Sequence, residues 1–312
     1  LFSAYLKLKK FLLDQRIDLI NPHRSEGFPL FVFAARALRA VRPENPLPVV
    51  RTRGTTRPLM RHWLNLKMHT EGTDYHITVG EIVSERLLNS VDIIPEKLKT
   101  IYYPVVCPEL PLQQQIDFRT EFEISAKAKV LAVVGRIRPV KGQRILLQSL
   151  SQLLRDFPDL VLLIPYRDTS ESEPEMVALR NDIRSLKLEA HVRLIPERED
   201  IRALMEFAYA GVVSSVESEV ICRVAVEFFS VATPVVAFPT GCLPEIIRHE
   251  KNGLLAKDQT PEALTVELRK ILADPELSER LGQGARRDAE IRFNPQKMLA
   301  ETLDVFECSL NY

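Results

Sequence analysis

The chain has 312 residues, 46% hydrophobic and 27% charged, with 42 Lys+Arg balanced by 42 Asp+Glu. This is the make-up of a folded globular protein with room for two cores, and it gives no ground for a nucleic-acid partner. No apolar run reaches the eighteen or so residues of a membrane span.

Four cysteines (Cys107, Cys222, Cys242, Cys308) are widely spaced with no CxxC pair. They point to neither a zinc site nor a disulfide framework and favour a reducing compartment. The neutral total hides an asymmetry. Residues 1–70 hold thirteen Lys/Arg against four Asp/Glu, or +9, which leaves −9 for residues 71–312. A basic first segment points to an anionic partner such as phospholipid or a phosphorylated acceptor; a solvated surface is the other reading.

The first residues, LFSAYLKLKKFLLDQR, read as an amphipathic helix already under way, so upstream sequence is expected to be missing. A strand is expected at Ile17–Asn21, stopped by Pro22 and followed by the turn His23-Arg24-Ser25-Glu26-Gly27. Next come a helix over Phe28–Arg39, a strand over Val49–Thr52 ending in Arg53-Gly54-Thr55-Thr56-Arg57, and a helix over Leu59–His69. In that helix Trp63, with Leu59, Met60, Leu64 and Lys67, reads as core-facing, with contact to a bilayer surface as the other reading. A strand at Tyr75–Val79, a helix at Ile82–Asn89 and a strand at Lys99–Tyr102 complete an alternation that predicts a parallel sheet with crossover helices.

Pro104–Ile116 carries three prolines and no periodicity, which marks a hinge. A second series follows, with strands at 129–134, 160–164, 192–195, 212–214 and 235–238 and helices between. Helices at 261–273, 275–292 and 296–309 close the chain. The expected domains are therefore 1–107 and 108–294, with 295–312 as a terminal helix. Two segments of the second half carry chemistry. Gly135-Arg136-Ile137-Arg138-Pro139-Val140-Lys141-Gly142 follows its first strand and opens a helix. Further on, Glu219 lies in a polar loop after a buried strand and Glu227 lies in the next helix. Paired carboxylates near one crevice suit the hydroxyls of a sugar or ribose, because each can accept from two neighbouring O–H groups.

These residues resemble the signatures of family 4 retaining glycosyltransferases of the GT-B fold. The matching residues are Glu219 and Glu227 eight apart, then Thr233-Pro234-Val235-Val236-Ala237, then Gly241-Cys242-Leu243-Pro244-Glu245, with the G-R-x-x-x-x-K-G loop upstream. The resemblance implies an α/β protein with two Rossmann-like domains facing a cleft, the first incomplete at its start and the terminal helix crossing back to it. It implies transfer of a sugar from a nucleotide-diphosphate sugar, bound as substrate rather than cofactor, to a hydroxyl of an envelope glycan or lipid-linked acceptor. Retention at the anomeric carbon and no metal are expected; no Asp-x-Asp occurs in the sequence. Polysaccharide or lipopolysaccharide biosynthesis fits, at a cytoplasmic location peripheral to the inner face of the membrane.

By the same resemblance Arg136, Lys141 and Glu219 carry catalysis. Gly135, Val220, Ile221, Cys222, Arg223 and Glu227 complete the donor site, with Glu227 on the ribose and Glu219 on the transferred sugar. Arg223 is expected on donor phosphate, because a cation in the first turn of a helix is unfavourable until an anion binds there. His23, Arg51, Arg53 and Arg57 are acceptor-side candidates. The chain departs from the pattern in several places. Val220, Cys222 and Cys242 stand where glycine is usual, Gly54 stands where relatives place a His, and Pro165-Tyr166-Arg167-Asp168 replaces a glycine-rich turn. Each bulkier residue is expected to remove backbone freedom. A non-catalytic nucleotide-sugar-binding or scaffold protein of this fold is the alternative, and a sugar phosphorylase or nucleotide-sugar epimerase a third reading.

Overall fold

Short β-branched runs alternating with amphipathic segments fold as parallel strands joined by helices. The computed structural model describes residues 2–41, 46–112, 116–166, 173–217 and 219–311. The chain divides into two compact units, Leu1–Tyr103 with Pro295–Tyr312, and Pro104–Asn294.

The first unit opens with α1 (Phe2–Asp14) and α2 (Phe28–Arg39), then β1 (Val50–Arg53), α3 (Trp63–Thr70), β2 (Tyr75–Thr78), α4 (Glu81–Leu88) and β3 (Leu98–Thr100). The strands pair in parallel in the order β1-β2-β3. The strand expected at Ile17–Asn21 reduces to a single bridge between Ile20 and Val49. Pro22 and Pro48 have no N–H to donate, so the ladder does not extend beyond it. α3 also differs from expectation. It starts at Trp63 rather than Leu59 and buries only Met68 and His69, leaving Trp63 65% and Met60 76% exposed.

The second unit runs α5 (Phe118–Glu121), β4 (Val130–Ala132), α6 (Gln143–Leu153), β5 (Val161–Pro165), α7 (Pro174–Ser185), β6 (Val192–Ile195) and α8 (Ile201–Phe207). It continues with β7 (Ala210–Val213), α9 (Arg223–Ser230), β8 (Val235–Ala237), α10 (Leu243–Ile246), β9 (Gly253–Leu255), α11 (Pro261–Ala273) and α12 (Pro275–Ile291). Prolines at the first helical position and N-cap side chains start the last two helices. Thr260 accepts from Ala263 N at 3.2 Å, and Asp274 from Leu277 N at 3.0 Å. α13 (Pro295–Leu310) returns to the first unit, where Val305 is buried with Val50, Ile77 and Ile101.

Among the described residues the second sheet has six parallel strands in the order β6-β5-β4-β7-β8-β9. Both of its faces are covered, so its central strands are continuous apolar runs; Leu131, Leu162, Ala210 and Val236 are all 0% exposed. The strand order reverses between β4 and β7. Ligands of open α/β sheets bind at such a switch point, outside the carboxyl ends of the strands.

Candidate functional site

Two loops meet at the switch point, one after β4 and one after β7. The first leaves β4 through Gly135, at φ +155° with open space where a Cβ would stand, and ends in a tight turn, Pro139–Lys141. Gly142 closes that turn at φ +64°, and a Cβ there would lie 2.0 Å from the Ser214 carbonyl oxygen, so only glycine fits. The two loops are stitched together. Ser214 Oγ donates to the Lys141 carbonyl at 2.8 Å, and Val216 N to the Val140 carbonyl at 3.0 Å. Gln143, the first residue of α6, holds the other end of the loop through Nε2 to the Arg136 carbonyl at 2.9 Å.

This stitching brings Lys141 to Glu219. Lys141 Nζ donates to Glu219 Oε1, and Ser215 Oγ donates to the same oxygen at 2.5 Å. The Glu219 side chain is 9% exposed, and an ionised carboxylate at that depth needs such partners. Its backbone is fixed as well, since its carbonyl accepts from Cys242 N at 2.7 Å across the turn after β8. Gly241 makes this approach possible at φ +58°; a Cβ on it would lie 1.9 Å from the Glu219 oxygen. Replacing Gly241 with alanine is therefore expected to cost about 3 kcal/mol and to displace Glu219. A chemical denaturation midpoint unchanged from the parent protein would contradict this.

The bulkier residues at glycine positions behave unequally. Cys242 has φ −80°, which any residue adopts, so the expected loss of backbone freedom does not arise there. Cys222 does take the left-handed conformation, at φ 40° and ψ 55°, and stores strain at the residue that starts α9. Both side chains are buried. Burial pushes the Cys242 thiol up to about 12 and the Cys222 thiol well above its ordinary value, so both pack as neutral groups. Arg167 and Asp168 lie outside the described residues.

Lys141, Gln143, Ser214, Ser215, Glu219 and the Val220–Val224 segment line a cavity of ≈ 350 Å³. Lys141 also lines a neighbouring hollow of ≈ 730 Å³ with Gly135, Arg136, Arg223 and Glu227. Arg223 reaches toward Glu227 at 3.4 Å, one turn along α9, and is 68% exposed. An arginine placed N-terminal to a glutamate is the weaker order for such a pair, and α9 has no side-chain cap or acid in its first turn. The helix thus presents uncapped N–H groups and a cation to the hollow, which suits a bound anion.

Tyr166, from the turn already marked after β5, lines that hollow too, and so do residues that were not legible in the motifs: Glu197 and Arg198 after β6, and Ile201 and Met205 on α8. Arg198 is pinned by Asp200 and Glu121, the latter at 2.7 Å, and lies over the Phe118 and Phe122 rings. The signal available was position alone, because residues just past a parallel strand lie on the ligand-binding edge of the sheet.

In the first unit the basic candidates separate. Arg51 is 2% exposed and turned inward. It donates to the carbonyls of Pro22 at 2.7 Å and Arg24 at 3.0 Å and to Ser25 Oγ at 3.2 Å, over the Phe28 ring. Burial lowers its pKa to about 10. Arg53 is 6% exposed and donates to the Arg57 carbonyl. These two clasp their own unit and do not present their charges to a ligand, contrary to expectation; a count of charges does not register which guanidinium is needed inside. His23 and Arg57 are exposed, with His23 Nε2 2.5 Å from Asn21 Oδ1. Partial desolvation of the ring, then the nearby Arg51 charge, holds the His23 pKa below its ordinary value.

Residues 114–288 match the family model described as glycosyl transferases group 1. Spore coat protein SA of Bacillus subtilis is 28% identical over 247 residues, covering 74% of this chain and 64% of that protein. A D-inositol 3-phosphate glycosyltransferase of Jonesia denitrificans is 30% identical over 205 residues, covering 64% of this chain and 48% of its own. The chain thus spans between about half and two thirds of these curated relatives. Among solved structures, a glycosyltransferase from Rickettsia africae superposes with a TM-score of 0.86 at 17% identity, over 99% of this chain and 81% of that one. Anabaena Alr3699/HepE, solved in complex with UDP, gives 0.83 at 22% identity, over 97% and 82%.

Proposed function

The chain belongs to the glycosyl transferases group 1 family and has the GT-B fold of its structural relatives, and on that premise we propose that it moves a sugar from a nucleoside-diphosphate sugar to an acceptor hydroxyl. The observation that carries this reading is the convergence of Arg136, Lys141, Arg223 and Glu227 on one hollow beside the switch point of the second sheet. A leaving diphosphate gains negative charge as the glycosidic bond breaks. Arg136 offers a fork of donors, Lys141 a point charge, and α9 its free N–H groups, all on the side where that charge develops. Glu227 then meets the ribose and Glu219 the sugar. The structure of Alr3699/HepE with UDP-glucose supports a donor of this kind.

The reaction proceeds with retention and without metal: the acceptor hydroxyl attacks from the face the phosphate leaves, and the phosphate takes its proton. An envelope glycan or lipid-linked acceptor, as in polysaccharide or lipopolysaccharide synthesis, fits the basic first segment, where His23 and Arg57 remain open to it. Among the described residues no helix is long and apolar enough to cross a membrane. The exposed Trp63 and Met60, with Arg57, Arg61 and Lys67 around them, support peripheral contact with an anionic bilayer at the cytoplasmic face.

The test is release of nucleoside diphosphate from a panel of nucleotide sugars, with and without glycan and lipid acceptors, and the anomeric configuration of the product. Acceptor-dependent turnover with retention is expected. Binding without turnover would favour the non-catalytic alternative, which the strained Cys222 supports. Replacing Arg223 with alanine should weaken nucleotide binding by about three- to tenfold with little change in stability, since an exposed arginine contributes little to folding. Unchanged affinity in a titration would remove Arg223 from the phosphate site.

A further inference from the structure

We infer that Glu219 competes with the donor's diphosphate for Lys141, and that this makes the site prefer the sugar-charged nucleotide over the spent nucleoside diphosphate. The inference rests on the donor-site reading above and adds a discrimination to it. Lys141 is held by the Glu219 carboxylate. Lys141 lines both the cavity around Glu219 and the hollow of Arg136 and Arg223, so the Glu219 carboxylate and an anion in that hollow draw on the same ammonium.

The Glu219 side chain is 9% exposed, and a diphosphate that takes Lys141 leaves it, among the described residues, Ser215 Oγ at 2.5 Å as its remaining donor. Leaving a buried carboxylate short of partners is costly. An attached sugar removes that cost, because its hydroxyls donate to the carboxylate that Lys141 has left. A nucleoside diphosphate brings no hydroxyl to this place, so its phosphate and Glu219 face each other as like charges. The Glu219 backbone is held beside Lys141 by Gly241 and Cys242 N, and Ser215 Oγ keeps its carboxylate at this place. After transfer, the return of Lys141 to Glu219 displaces the spent nucleotide. Glu219 is thus a specificity-determining residue for charged against spent donor.

The test is a titration of the parent protein and of Glu219→Gln with UDP, GDP and ADP, each beside its glucose ester. Glutamine keeps the shape and removes the charge. In Glu219→Gln the nucleoside diphosphate is expected to bind about tenfold tighter while its sugar ester gains nothing, so the ratio of the two Kd values shifts by about tenfold. In a Lys141→Met background the same substitution should shift that ratio much less, because the competition acts through Lys141. Glu219→Asp, whose shorter side chain falls back from Lys141, should move the ratio in the same direction and serves as a second variant should the first fail to fold. Equal tightening of both ligands, or an unchanged ratio, would overturn the inference while leaving the donor site standing. No binding of any of these ligands to the parent protein would remove the donor site itself.

Discussion

Replacing Lys141 with methionine is expected to lower sugar transfer by about 10²–10³-fold, the usual loss when one preorganised charge is removed from a site where charge develops. Methionine keeps much of the apolar stem, so the change is chiefly electrostatic. The loss should fall on kcat as well as on donor binding, because the diphosphate carries more negative charge in the transition state than in the bound donor. Glu219 loses its strongest partner in this variant, and a buried carboxylate left without a cation destabilises the fold. The Lys141→Met/Glu219→Gln double variant separates the two effects. It should recover most of the stability and almost none of the activity. Recovery of transfer in the double variant would mean that Lys141 acts only to neutralise Glu219.

Acidification is expected to loosen the first unit long before the second. His69 and His76 are 4% and 1% exposed, their rings stacked 5.7 Å apart, with His76 Nε2 2.9 Å from the His69 carbonyl. Burial is the main cause that lowers His69 to about 3 and His76 to about 4, with the Arg51 and Arg53 charges adding to it. Unfolded histidine titrates near 6.5, so the unfolded chain takes up protons that the folded chain refuses. The contribution to stability is therefore full above pH 6.5 and falls as pH drops below it, levelling off only near the folded values of about 4 and 3. By pH 5 each histidine costs about 2 kcal/mol relative to pH 7.5, or about 4 kcal/mol for the pair. Hydrogen exchange of the β2 amides (Tyr75–Thr78), with the β7 amides (Ala210–Val213) as internal reference, reads this directly. Protection of β2 should fall steeply between pH 7 and pH 5 after correction for intrinsic rates, and His69→Gln should flatten the slope. Parallel behaviour of the two strands would show that the histidines do not govern it.

The elements most legible in the sequence were those with their own punctuation. Phe28–Arg39 and Pro261–Ala273 start beside a proline and run on amphipathic periodicity, and Val192–Ile195 is a short, mostly apolar run between turns. The loop from Gly135 to Gly142 was legible because glycine, proline and charge all point the same way there. What escaped was long-range. Ile17–Asn21 looks like a strand by composition, yet Pro22 after it and Pro48 on its neighbour have no N–H to extend the single bridge into a ladder. Trp63 reads as a core residue by hydrophobicity, but α3 buries a different arc. Arg51 and Arg53 carry charge in the sequence and are consumed as internal clasps in the fold. Glu197 and Arg198 join the hollow only because β6 ends at the same edge as β4, which strand order alone fixes.

A crystal structure of this chain with a bound nucleoside diphosphate tests the donor site most directly. The phosphates should lie between Arg136, Lys141 and the first turn of α9, with the ribose against Glu227. A nucleotide seated elsewhere, with Lys141 still held by Glu219 and the hollow beside the β4–β7 switch point empty, would contradict the assignment.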